Sequence, residues 1–210
     1  MKHSINKLEE TPSQTAGPYV HIGLLPHQAG FDIFANNFSH EIAGPDTKGE
    51  RITIEGMVFD GSGAPIRDML LELWQANAEG RYRHPADRQQ GKAIDPGFRG
   101  WGRTGTDFAS GLYTFETIKP GSVVGRSGTK PMAPHVSLWL VSRGINIGLS
   151  TRMYFDDESE ANAADPVLNL IEQPARRKTL LGHRGSRDGK TVYRFDIHLQ
   201  GAHETVFFDV

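Results

Sequence analysis

The sequence contains no cysteine, which excludes disulfide bonds, thiolate metal sites and cysteine nucleophiles. It also has no apolar run approaching the roughly 20 residues of a membrane-spanning helix. Positive and negative charges are nearly balanced, with 23 Lys and Arg residues and 25 Asp and Glu residues. This balance gives no sign of the basic surface that nucleic-acid binding usually needs. Residues 1–6 lack the apolar stretch of a secretory signal. We therefore expect a cytoplasmic protein that binds neither nucleic acid nor a membrane.

Glycine and proline are abundant and indicate many turns and few long helices. The 24 glycines and 12 prolines make up about 17% of the 210 residues, against roughly 12% in an average protein. Between the turns lie short segments in which apolar and polar residues alternate, as in half-buried strands. The strand candidates are 52–59, 70–74, 112–117, 135–141, 151–155, 191–199 and 205–210. The segment 70–74 is rich in leucine, so a short helix remains an alternative there.

Strand candidates in this number and spacing predict an all-β fold, a sandwich or barrel, rather than βαβ units. A short helix is indicated where Asp165 precedes Pro166, and a second helical turn at 176–181. Residues 1–50 keep no helical or strand period and are interpreted as an extended N-terminal arm. Its apolar side chains must pack on the body or on a partner. Residues 51–210 form the predicted β-sandwich domain.

The nine histidines are the obvious candidates for metal ligands, and His135 opens a clearly alternating strand candidate. Strand residues at positions i and i+2 can chelate a metal, because both project from the same face. Here the i+2 residue is Ser137, a poor ligand for most metals at neutral pH, so this strand offers one imidazole. A histidine that is only hydrogen-bonded at the start of a strand is the simpler interpretation. The sequence has no P-loop, nucleophile elbow or HExxH motif.

Three segments carry a resemblance to the intradiol ring-cleaving dioxygenases. They are TPSQTAGPY at 11–19, LWQANAEGRYRH at 73–84, and the stretch 102–121, which ends in GLYTFETIKPG. Three more, MAPH at 132–135, SRGINI at 142–147 and LNLIEQP at 168–174, are similar to the iron-free subunit of a two-subunit member of that family. The resemblance implies a β-sandwich core of the intradiol type, with the N-terminal arm and a few short helices.

Catalytic members of the family hold Fe(III) with two tyrosinates and two histidines, hard oxygen and nitrogen donors that suit this ion. Carried over by the resemblance, these four positions fall on Tyr82, Val123, His135 and Ser137. An arginine of the catalytic chains falls on Met132. Two of the four donors are therefore missing, and the resemblance implies that this chain binds no iron. Tyr82 and His135 are interpreted as remnants that hydrogen-bond each other. The chain could still bind a metal if Tyr154 or His84 supplied one of the missing donors.

The resemblance implies a partner, a homologous β subunit that carries the Fe(III), within a higher hetero-oligomer. Such a complex cleaves 3,4-dihydroxybenzoate with O2 to 3-carboxy-cis,cis-muconate, a step in aromatic catabolism. The residues that the resemblance brings to the substrate are Thr15, Gly17, Pro18, Tyr19 and Arg143. Arg143 can meet a carboxylate with a bidentate fork, and Gly17-Pro18 allows close backbone approach. In the simpler interpretation, Gly17-Pro18 is only a turn and Arg143 only a surface charge.

Two other functions compete with this interpretation. One is a self-sufficient intradiol dioxygenase with an unusual iron site of its own. The other is a β-sandwich scaffold or binding module that takes no part in catalysis.

Overall fold

The structure is a computed structural model that describes residues 14–34, 39–125 and 130–209, and most of its regular structure is β-strand. The strands are β1 (Arg51–Phe59), β2 (Leu70–Gln75), β3 (Trp101–Gly105), β4 (Leu112–Ile118), β5 (Val123–Val124), β6 (Pro131–Met132), β7 (His135–Val141), β8 (Leu149–Phe155), β9 (Leu181–Arg187), β10 (Lys190–Arg194) and β11 (Ile197–His198). The helices are α1 (Tyr19–Leu24), α2 (Ser159–Ala164), α3 (Pro174–Arg177) and the 3₁₀ helices Leu168–Leu170 and Lys178–Leu180. Within these ranges no helix has the length and apolar character needed to cross a membrane.

Most of the strands join in one nearly closed sheet in the order β11-β1-β10-β9-β8-β7-β2-β3, with β4 paired to β1. The two halves of this sheet meet where β8 and β9 run parallel, through the pairs Tyr154–Leu181 and Phe155–Gly182. Because this junction is short, the half that contains β1, β4, β9 and β10 can fold over the half that contains β2, β3, β7 and β8. The short hairpin of β5 and β6 stands apart from the sheet.

The core lies between these halves, and alternation along the strands builds it. One cluster of buried side chains includes Ile52, Ile54, Val58, Phe115 and Tyr193 from one half, and Leu71, Leu73, Val136, Leu138, Leu140 and Met153 from the other. The predicted all-β fold is therefore confirmed. The leucine-rich segment 70–74 is a strand and not a helix, since it lies between β7 and β3 in the sheet and its leucines are buried.

The strand predicted at 205–210 is wrong. Within 205–209 the structure has a single bridge, from Phe208 to Ser150. The backbone of this segment bonds elsewhere: the Thr205 N–H donates to the His198 carbonyl, and the Val206 N–H donates to Thr179 Oγ1. The candidate 191–199 is also interrupted, because Asp196 turns its carboxylate to the Met57 N–H between β10 and β11.

The helix signal at Asp165 is confirmed only in part. Its Oδ1 accepts 2.8 Å hydrogen bonds from the N–H groups of Val167 and Leu168, as an N-cap does. The segment that follows is a single 3₁₀ turn, Leu168–Leu170, rather than an α-helix.

The N-terminal arm contains a helix that the sequence did not predict. Pro18 adopts a helical conformation, and the Val20 N–H donates to the Gly17 carbonyl at 3.1 Å, so the chain turns directly into α1. Further along, Ile42 joins the core cluster and Glu41 bridges to Glu116 of β4. The division at residue 50 stays a prediction, and residues 11–13 of the arm motif lie outside the described residues.

Candidate functional site

Strand register brings two of the predicted ligand positions, His135 and Ser137, to one face of the sheet. β7 lies between β2 and β8, and Ser137 is directly opposite Trp74 on one side and Arg152 on the other. Residues directly opposite each other in antiparallel strands share a face. Two positions earlier on β7, His135 is opposite Tyr154, and their ring centroids are 5.5 Å apart. The two histidine positions of the resemblance therefore lie side by side on this face.

His135 is buried and keeps the geometry of a ligand. Its Nδ1 lies 2.8 Å from the Ala133 carbonyl, which can only accept, so Nδ1 carries the proton. Burial, reinforced by the charge of Arg152, lowers the pKa of His135 to about 4. The imidazole is therefore neutral at pH 7, and its Nε2 presents a lone pair that has no partner among the described residues.

Tyr82 lies near this face because it stacks on Trp74, with centroids 5.9 Å apart and planes 8° from parallel. Burial raises the pKa of Tyr82, against the lowering influence of Arg152, so the phenol stays protonated at neutral pH. The expected hydrogen bond between Tyr82 and His135 is wrong. The Nδ1 of His135 bonds to Ala133, and its Nε2 is unpaired within the described residues.

The other two positions offer no replacement for the missing donors. Val123 is buried and aliphatic, and it pairs with Met132 across the β5–β6 hairpin. Ser137 is half-buried and carries only a hydroxyl.

Neither of the two side chains that could have filled a vacancy does so. The Tyr154 hydroxyl donates to the buried carboxylate of Asp165 at 3.3 Å, and burial raises its pKa, so it remains a phenol. His84 is exposed, and its Nδ1 accepts a hydrogen bond from the Ala86 N–H. Among the described residues, no group of three His, Asp or Glu side chains could hold a metal ion.

Arg152 is a member of this group that sequence reasoning missed. Its Nη1 lies 3.3 Å from Tyr154 Oη and 3.6 Å from Met132 Sδ. A guanidinium thus lies directly opposite the ligand position at Ser137, on the face that also carries a neutral imidazole and a protonated phenol. This donor set does not fit Fe(III), which needs anionic donors to balance its charge.

A second group of predicted residues lies near the other end of β7. The Gly144 N–H donates to Thr15 Oγ1 at 2.7 Å, and this bond fastens the arm to the turn that carries Arg143. Arg143 donates through Nε to Asp68 Oδ2 at 2.5 Å, while its side chain is 65% exposed. Its two Nη groups have no hydrogen-bond partner among the described residues and can face a ligand.

Helix α1 lies against this second group. His21 is buried, with its ring centroid 5.3 Å from that of Phe108. Burial lowers the pKa of His21, and the charges of Asp68 and Arg143 both act on it, so the helix lies close to this ion pair. The structure thus brings Thr15 and Arg143 together, and Gly17, Pro18 and Tyr19 follow on the exposed side of the arm. Sequence reasoning missed Asp68.

The two groups are well separated. His135 begins β7 and Val141 ends it, so the strand alone spans about 20 Å at roughly 3.4 Å per residue. Arg143 lies two residues beyond that end. The Thr15–Arg143 group is therefore remote from the face that carries Tyr82 and His135.

Comparison with known proteins identifies the class. The model of the Dioxygenase family matches residues 35–201, and the chain belongs to this family of intradiol dioxygenases. It is 53% identical to the protocatechuate 3,4-dioxygenase alpha chain of Pseudomonas putida over 205 residues, which make up 98% of each chain. The corresponding alpha chain of Burkholderia cepacia is 46% identical, over 97% of this chain and 98% of that one.

More distant relatives include a chain of the other type and a solved structure. The protocatechuate 3,4-dioxygenase beta chain of Burkholderia cepacia is 38% identical, over 75% of this chain and 67% of that one. The crystal structure of 3-chlorocatechol 1,2-dioxygenase from Rhodococcus opacus 1CP is similar with a TM-score of 0.57 and 21% identity, over 75% of this chain and 63% of that one. The latter likeness supports the fold alone.

Proposed function

We propose that this chain is the iron-free subunit of a cytoplasmic dioxygenase that opens the ring of 3,4-dihydroxybenzoate. It pairs with a homologous β subunit, which binds the Fe(III), in a higher hetero-oligomer. The complex inserts both atoms of O2 between the hydroxyl-bearing carbons and yields 3-carboxy-cis,cis-muconate, whereas this chain alone is inactive. The similarity to two alpha chains over nearly the whole sequence supports this proposal.

The observation that carries the proposal is the separation of the two groups along β7. Thr15 and Arg143 lie near one end of the strand, and the face with the ligand positions lies at the other end. Arg143 is therefore too far away to hold a substrate at its own chain's ligand positions. It serves a site that another chain completes.

The arm provides the surface for that chain. Several of its apolar side chains are exposed, among them Tyr19 (79%), Ile33 (63%) and Phe34 (52%). Exposed apolar residues that cluster on one segment are typical of protein interfaces. The arm accordingly packs on the β subunit through these exposed residues, and it lines the mouth of that subunit's active site with Thr15, Gly17, Pro18 and Tyr19.

In this arrangement Arg143 binds the carboxylate of the substrate. Asp68 accepts from Nε and orients the guanidinium, so that the Nη groups are left for a charged hydrogen bond. The chain thus contributes positioning and charge, and the redox chemistry belongs to the Fe(III) of the partner.

Reconstitution tests the proposal. Each full-length subunit is assayed alone and after mixing, with 3,4-dihydroxybenzoate and O2. We expect no ring cleavage by this chain alone and full activity only in the mixture. Turnover by this chain alone would establish the self-sufficient enzyme instead. Unchanged kinetics in complexes that carry Arg143→Ala and in complexes that carry Tyr19→Phe would indicate that the chain is only a scaffold.

A further inference from the structure

The face that carries the ligand positions also carries a cation. Arg152 lies directly opposite Ser137, the position of one missing donor. Its Nη1 is 3.6 Å from Met132 Sδ, and Met132 pairs with Val123, the position of the other missing donor. The guanidinium therefore lies opposite one vacancy and contacts the residue that is paired with the other.

The charge of Arg152 acts on this whole face. It lowers the pKa of Tyr82 and Tyr154 against the effect of burial, and adds to burial in lowering that of His135. It also connects to a buried anion: Nη1 lies 3.3 Å from Tyr154 Oη, and that hydroxyl lies 3.3 Å from Oδ1 of Asp165, which is fully buried. A buried carboxylate is stable only with such compensation.

We propose that Arg152 stands in for the ferric ion, supplying the positive charge of this face and excluding a metal cation from it. Two like charges in a partly buried space repel strongly, because little water lies between them. The loss of Fe(III) by this chain is then more than a shortage of donors. Restoring the donors while Arg152 remains therefore leaves the binding of the ion weak. This inference concerns the chain's own ligand positions and does not depend on the partner.

The test restores the donors with and without the cation. Three variants of the full-length chain are compared: V123Y/S137H, the same with R152Q, and the same with R152K, which keeps the charge. Fe(III) binding is measured by elemental analysis and by the visible band of iron-bound phenolate. We expect binding at least about tenfold tighter with R152Q than in the two charged variants. Equal binding by V123Y/S137H and its R152Q derivative would overturn the proposal, as would an equal gain with R152K.

A milder pair of variants covers the case in which a tyrosine does not fit at the buried position 123. S137H alone places two imidazoles at i and i+2 on β7, and S137H/R152Q removes the cation beside them. The probe is Cu(II) alone, with circular dichroism to confirm that both variants are folded. We expect Cu(II) to bind at least about tenfold more tightly to S137H/R152Q. Equal affinity would overturn the proposal.

Discussion

Thr15 Oγ1 accepts a 2.7 Å hydrogen bond from the backbone N–H of Gly144, so one side chain of the arm fixes its position beside Arg143. The same hydroxyl lies 3.5 Å from the Ser142 carbonyl. A bond between segments so distant in sequence sets the geometry of the arm, and the proposed function depends on that geometry.

Replacing Thr15 by valine removes this hydroxyl while keeping the shape of the side chain. The net value of one such hydrogen bond is about 0.5–1.5 kcal/mol, so we expect kcat/KM for 3,4-dihydroxybenzoate to fall roughly 2- to 10-fold in the complex. Thr15→Ser keeps the hydroxyl and serves as the matched control, with a value close to wild type. An equal loss in both variants would contradict the role of this bond.

Arg143→Ala separates binding of the carboxylate from a general effect on structure. A hydrogen bond to a charged group is worth about 1.5–3 kcal/mol, so kcat/KM for 3,4-dihydroxybenzoate should drop roughly 10- to 150-fold. Catechol has no carboxylate, so the turnover of this probe by the complex should change little. Arg143→Lys retains the charge but lacks the bidentate fork, so its kcat/KM for 3,4-dihydroxybenzoate should lie between the values for the wild type and Arg143→Ala. If turnover of both substrates falls alike, Arg143 acts on the fold and not on the substrate.

Asp165→Ala is expected to destabilise the chain. The carboxylate is fully buried and accepts from the N–H groups of Ala133, Val167 and Leu168, each at 2.8 Å. The substitution leaves these three N–H donors without their partner, at roughly 1–3 kcal/mol each, so we expect a loss of at least about 3 kcal/mol, which denaturant unfolding would measure. Glu160→Ala in α2 changes an exposed carboxylate and is the control, with a change of roughly 0.5 kcal/mol or less. Similar losses in both variants would be inconsistent with the capping role of Asp165.

His135 should make stability sensitive to acid. Its pKa in the folded chain is about 4, below the ordinary value of 6.5, because burial and Arg152 disfavour the charged imidazole. The neutral imidazole therefore contributes fully to the free energy of unfolding above pH 6.5, and this contribution is lost as the pH falls from 6.5 toward 4. It amounts to about 3 kcal/mol at most.

The matched variant for this effect is His135→Asn, which has no group that titrates in this range. Between pH 7 and 4.5, its free energy of unfolding should decline less steeply than that of the wild type, as measured by denaturant titration at each pH. Parallel declines would show that His135 does not titrate on unfolding.

Much of the fold could be predicted from the sequence, because the alternation of apolar and polar residues marks which face of a strand is buried. The resemblance to the intradiol dioxygenases allowed the missing donors at Val123 and Ser137 to be named. The sequence did not reveal that Arg152 belongs to the site. Alternation shows that Arg152 and Tyr154 share a face of β8, but it does not show which residues of β7 lie opposite them. The pairing of Asp68 with Arg143 joins residues that are 75 apart in the chain. Helix α1 was missed because its six residues have no lasting apolar period and no side-chain cap.

The iron content of the active complex tests the central claim most directly. Elemental analysis of the purified complex, with the two subunits quantified separately, gives the number of ferric ions per αβ pair. The account predicts one, which remains with the β subunit when the chains are separated. Two ferric ions per pair, or one that stays with this chain after separation, would contradict it.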